Sequence, residues 1–139
     1  MRLFLDANIV FDVLAKREPW FAHSASVMSL LESDDVHGIV AAHSATTLCY
    51  LCSKHLGAER ATTAIVDLLD LVTVAPIDQD AILKALALHW TDFEDALLAL
   101  SAAEGAVDYL VTRISDDFRN ASGPVASPSE LLALLRASD

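Results

Sequence analysis

At 139 residues, 54 % of them hydrophobic, the chain has the length of one domain, 1–139, and ample material for a core. Its formal net charge of −11 excludes broad, nonspecific nucleic-acid binding, which needs Lys and Arg against the phosphates. It leaves room for an enzyme whose acidic pocket borrows positive charge from metal ions, or for a basic partner.

Arg2-Leu3-Phe4-Leu5 reads as a short strand that ends at Asp6. Helices are expected over Ala7–Lys16 and Trp20–Ser33, separated by Glu18-Pro19. In the second, Phe21, Ala25, Met28 and Leu31 recur at helical spacing. Gly38–Ala41 reads as a buried strand. A helix from Ser44 to Leu56 should stop at Gly57, and another should run from Ala58 to Asp70. Leu71–Val74 is β-branched enough for a strand, closed by Pro76. Asp78 is placed to cap a helix reaching Leu88. Thr91-x-x-Glu94 has capping-box spacing and predicts a helix to about Ala103. Tyr109–Thr112 is a strand, followed by a polar loop with Asn120, Gly123 and Pro124. Val125-Ala126 would add a short edge strand. Ser127-Pro128-Ser129-Glu130 is a second capping box with Pro at N1, opening a last helix to about Arg136.

Strands separated by helices imply βαβ crossovers. The expected architecture is a three-layer α/β/α sandwich around a central, mostly parallel sheet of four to five strands. Cys49 and Cys52 cannot build a disulfide framework; both are expected as buried structural thiols. No apolar run is long enough to cross a bilayer and no signal-peptide core is evident, so a cytoplasmic location is expected.

Carboxylates recur where such a sheet gathers its strand ends. Asp6 follows the first strand, where open α/β sheets place ligand chemistry, although an Asp there also caps helices well. Asn8 is placed to hydrogen-bond it. Asp92, Glu94 and Asp95 share the first turn of one helix, which the helix dipole alone would favour. Asp95 lies on a face of small residues with Ala99 and then Ala102 or Ala103, opposite Phe93, Leu97 and Leu100, and can therefore approach a strand end closely. Asp116 and Asp117 follow the last long strand, and Phe118 is expected to plug their loop into the core. Carboxylates gathered in one crevice repel unless protons or a cation neutralise them.

At these residues the chain resembles the PIN-domain family, most closely the bacterial VapC-like toxin ribonucleases and related stand-alone PIN proteins. The matching pieces are Leu3-Phe4-Leu5-Asp6-Ala7-Asn8, Asp92-Phe93-Glu94-Asp95-Ala96-Leu97, and Leu110-Val111-Thr112-Arg113 through Asp117-Phe118. Ser127-Pro128-Ser129-Glu130-Leu131-Leu132 fits the family's closing helix. The resemblance implies a Mg²⁺- or Mn²⁺-dependent endoribonuclease, the toxin of a toxin–antitoxin pair, acting on RNA and forming a homodimer. Carried over by position, Asp6, Asp95 and Asp117 would be catalytic and metal-binding, with Asp116 as a further metal ligand. Asn8, Glu94, Thr47 and Arg113 would be auxiliary.

Two departures stand out. The family's usual helix Glu is missing, and Thr47 falls nearest its place. Ile114 stands where Asn or Asp commonly follows the Thr-Arg pair. Arg113 and Arg119 flank the last acidic loop and can meet RNA phosphates or make surface ion pairs. His43 opens the helix that lacks its Glu. Trp20 and Trp90 read as packing anchors. The departures motivate a second reading, a PIN-fold interaction module that does no chemistry. An acid-nucleophile phosphotransferase fits poorly, because Asn8 stands where that chemistry wants a second Asp.

Overall fold

A computed structural model describes residues 1–138; Asp139 lies outside them. Its elements are β1 (Arg2–Leu5), α1 (Ala7–Leu14), α2 (Phe21–Leu30), β2 (His37–Ala41), α3 (Ala42–Leu56), α4 (Ala58–Leu68) and β3 (Val72–Ala75). There follow α5 (Gln79–Ala87), α6 (Phe93–Glu104), β4 (Tyr109–Val111), a 3₁₀ turn (Ser115–Phe118), β5 (Val125–Ala126) and α7 (Pro128–Ala137). The five strands lie in the order β3-β2-β1-β4-β5, and every neighbouring pair is parallel.

β1 is central and buried on both faces, which is why it reads as an unbroken apolar run. Successive side chains of a strand point to opposite faces. Leu3 and Leu5 join Val40, Val72 and Val111 in a core with residues of α1, α2, α3 and α7. Phe4 points the other way, with Ile39 and Leu110, against Leu98, Ala99 and Ala102 of α6. The helices thus form the two outer layers of an α/β/α sandwich. Burial of each large side chain such as Phe4 contributes about 1.5–3 kcal/mol. Gly57, at φ 87°, ends α3 in a conformation that costs other residues strain. At Gly38 a Cβ would fall 2.8 Å from a Leu31 methyl, so a larger residue there would push the Leu31 side chain aside.

Three expectations need correction. The buried stripe of α2 runs Ser24, Val27, Met28 and Leu31, with Phe21 and Ala25 only half-buried. The neighbours of α2 are α1 and α7, and they set its rotation. Cys52 is buried but Cys49 is exposed, because the inward row of α3 runs Ser44, Leu48 and Cys52 at four-residue spacing and Cys49 stands one residue off it. The loop after β4 is not simply irregular, since it carries the 3₁₀ turn at Ser115–Phe118.

Candidate active site

The chain builds β1, β2 and β3 outward to one edge, then returns to lay β4 on the other side of β1. Where strand order reverses, adjacent crossovers leave toward opposite faces and a crevice opens beyond the carboxyl ends. Asp6 directly follows β1, and Thr112 directly follows β4. The Asp6 amide donates to the Val111 carbonyl at 2.9 Å, extending the ladder one step past the strands. The Thr112 hydroxyl, itself buried, donates to Asp6 Oδ2 at 2.8 Å. The Asn8 side-chain amide donates to the same oxygen at 3.3 Å, as the sequence anticipated. Asp6 occupies the N-cap position of α1, but its side chain makes no capping hydrogen bond. The carboxylate is committed to the crevice. Burial pushes its pKa above the usual carboxylate range, and the Thr112 hydrogen bond works against that rise.

Asp95 enters from α6. The sequence expectation of a Thr91–Glu94 capping box is overturned. The N-cap is Asp92, whose side chain accepts the Asp95 amide at 3.0 Å. Asp is at least as good a cap as Thr, and its use starts the helix at Phe93. Glu94 is thereby released from capping and lines the crevice. Ala99 and Ala102 pack into the sheet with Leu98, as the small-residue face required, while Phe93 is 38 % exposed and outside the core.

Asp95 stands between two adjoining hollows. One is lined by Asp6, Asn8, His43, Thr47 and Glu94; the other by Trp90, Asp92, Asp116 and Asp117. Asp95 pKa is pushed up to about 6, first by burial and then by the charges of Asp92, Asp6, Asp117 and Glu94. Acids from three distant stretches of sequence therefore feel one another. No three Asp, Glu, His or Cys side chains among the described residues close to the spacing that holds an ion. The donor set is nonetheless all hard oxygen. It suits a cation such as Mg²⁺, which keeps several waters and takes one or two carboxylates plus a substrate phosphate.

The loop bearing Asp116 and Asp117 is fixed at both ends. Phe118 is 2 % exposed and sits edge-on to Trp90, with ring centroids 6.2 Å apart. The Ser115 hydroxyl donates to Glu130 of α7 at 3.2 Å. Burial lowers His43 pKa, with the charges of Glu94 and Asp6 opposing. Thr47 lines the hollow where the sequence placed it, and Ile114 is exposed.

Sequence patterning missed Asp12. It is wholly buried on α1, with Arg113 Nε 3.4 Å and Arg17 Nη1 3.9 Å from its oxygens. The signal was available: a lone acid inside Ile9-Val10-Phe11-Asp12-Val13-Leu14 must find a cation when buried. Arg17 had no such signal.

A PIN-domain family profile matches residues 2–113. The chain belongs to the PIN-domain family. The profile match includes Asp6 and Asp95 and ends before Asp116 and Asp117. Among solved structures, this PIN domain is similar to VapBC2 from Rickettsia felis bound to a fragment of its promoter DNA. That match has 15 % identity and a TM-score of 0.70, covering 91 % of this chain and 98 % of that one. It is similar to a toxin–antitoxin complex from Klebsiella pneumoniae at 19 % identity and TM-score 0.69, covering 91 % and 97 %. It also resembles VapC20 from Mycobacterium tuberculosis, a Sarcin-Ricin loop cleaving toxin. There identity is 12 % and the TM-score 0.64, over 78 % of this chain and 86 % of that one. No curated protein sequence matches the chain. The PIN-domain family is a nuclease family, and these likenesses extend the shared fold past the profile match. No helix among the described residues is long and apolar enough to cross a membrane.

Proposed function

We propose that this PIN domain is a Mg²⁺- or Mn²⁺-dependent endoribonuclease, the toxin of a toxin–antitoxin pair. The observation that carries the reading is the pair of adjoining hollows at the β1/β4 switch point, one lined by Asp6, the other by Asp117 and both by Asp95. Asp6 and Asp95 would hold the cation, with Asp117 and Asp116 completing its shell from the neighbouring hollow. Held by these carboxylates, the ion would supply a nucleophilic water at neutral pH and would neutralise charge on the leaving oxygen. Thr112 and Asn8 hold the Asp6 carboxylate in one orientation toward the crevice. Phe118 fixes the loop of Asp116 and Asp117, and Glu94 adds negative charge beside Asp95. Residues 1–139 would act as one unit in the cytoplasm, as a homodimer, restrained by an antitoxin.

Incubation of the purified protein with structured RNA and Mg²⁺ or Mn²⁺ tests the reading. Wild type should cleave. Asp6→Asn should lose more activity than the roughly 10- to 100-fold that removal of a supporting partner costs. Identical behaviour of the two proteins, with no divalent-ion binding by either, would end it.

The second reading, an interaction module without chemistry, draws on Thr47 in the place of the family's acid and on exposed Ile114. Calorimetric titration separates the two, because Mn²⁺ binding that is lost in Asp95→Asn belongs only to the nuclease.

A further inference from the structure

The protein carries only nine Lys and Arg residues, yet two of them, from distant parts of the chain, meet beside the acidic crevice. Arg17 and Arg113 both reach Asp12, which is wholly buried. One carboxylate shared by two guanidiniums leaves a local excess of one positive charge. Were the cluster built for stability alone, one well-made pair would suffice to neutralise the buried acid. The pairing is instead loose: neither Asp12 oxygen nor Arg113 Nε has a partner in hydrogen-bond geometry among the described residues.

Trp20 adds a second restraint. The Arg113 guanidinium lies over its ring with Cζ 3.8 Å from the centroid, and Arg17 Cζ stands 5.3 Å from the same centroid. A guanidinium stacked on an indole, with its Nε turned toward Asp12, presents its terminal nitrogens as an oriented fork. Those nitrogens make no hydrogen bond or ion pair within the protein among the described residues, and the side chain lines the hollow that holds Asp6 and Asp95. A planar fork of N–H donors matches the two free oxygens of a phosphodiester.

We infer that Arg113 and Arg17 form a clamp for a backbone phosphate of the RNA strand at the acidic crevice, with Asp12 and Trp20 as its positioning residues. The inference rests on the nuclease reading, since it supplies the substrate contact that the carboxylates cannot make. The carboxylates repel the strand, and the clamp holds the phosphate next to them.

Binding of a short fluorescent poly(U) strand, followed by anisotropy at fixed Mg²⁺ on the Asp6→Asn background, tests the clamp apart from cleavage. Each contact to a single-stranded phosphate contributes about 0.7 to the slope of log K against log salt. The Arg113→Gln/Arg17→Gln double variant should lower the slope by about that amount, and each single variant by part of it. Arg113→Lys should keep the slope and weaken binding, because it retains charge and loses fork and stacking. In the cleaving protein, Arg113→Lys should raise KM and leave kcat near wild type. Asp12→Asn adds net positive charge, so charge alone would tighten binding, whereas loss of positioning weakens it. Trp20→Leu should weaken binding likewise and leaves the buried pairing intact, which covers the case where Asp12→Asn does not fold. An unchanged slope in the double Gln variant, tighter binding by Asp12→Asn, or no binding by the parent protein overturns the clamp. Displacement of poly(U) by polyglutamate as readily, charge for charge, as by poly(U) also overturns it. Absence of cleavage in wild type, with the slopes changing as stated, overturns the nuclease reading instead.

Discussion

Asp95 carries an unusual burden for a carboxylate. Its pKa moves from an ordinary 3.8 to about 6 on folding, so between those values the native state holds a proton that the unfolded chain has lost. Folding stability from this group therefore rises as pH falls through about 6 and is lost as the group ionises toward pH 7. The upward shifts of buried Asp6 and Asp12 act in the same direction. His43 acts in the opposite one, because its lowered pKa makes the folded state resist protonation as pH drops below 6.5. Comparing wild type with Asp95→Asn isolates the first effect. In EDTA, Asp95→Asn should melt higher than wild type at pH 7, and the gap should narrow as pH falls below 6 and close only near the ordinary carboxylate value of 3.8. A constant gap would mean that Asp95 is not crowded. Mg²⁺ should raise the wild-type Tm more at pH 7 than at pH 5, since ion and proton compete for the same oxygens. Thr112→Val removes the hydroxyl that orients Asp6. It should lower cleavage by about 10- to 100-fold, and chemical-denaturation curves would show whether the loss is local.

Helix starts and one 3₁₀ turn set where the acids stand. Asp92→Ala deletes the α6 cap and should cost about 1 kcal/mol, whereas Thr91→Ala, outside the capping contact, should cost almost nothing. Urea unfolding of the two variants checks the assignment. Phe118→Ala should cost about 3–5 kcal/mol and free the turn bearing Asp116 and Asp117, weakening Mn²⁺ binding as read by calorimetry. The strands and most helices were legible in the sequence, because parallel strands buried on both faces read as plain apolar runs and the helix ends carry Gly57, Asp78 and Ser127. The crevice was legible through Asp6 at the end of β1 and through the small face of α6. The Thr91 box misled because two capping residues stand side by side and spacing cannot choose between them. The inward face of α2 was misread because α1 and α7 select it, and Ser24 carries no apolar signal. Asp12 and Arg17 lie close in sequence, but Arg113 joins them only through the closed sheet, so no local pattern announces the three as a group.

Across the whole molecule, α5 leaves Ile82, Leu83 and Leu86 exposed by 40, 57 and 53 % on one side of the helix. Side chains of that size on one side of a helix form a patch of the kind that interfaces use. If the protein is the homodimer proposed, Leu83→Glu/Leu86→Glu should sediment as a monomer with its far-ultraviolet circular dichroism unchanged. A dimer surviving both substitutions would place the contact elsewhere. The acidic surface and the buried acids are one problem at this scale, since every carboxylate held near Asp95 adds to repulsion already implied by a charge of −11. The bond from the Thr112 hydroxyl to Asp6 joins positions 106 residues apart. Translation delivers Asp6 well before the flanking strand and that hydroxyl. A nascent chain therefore carries Asp6 without the neighbour that orients it until Thr112 has followed.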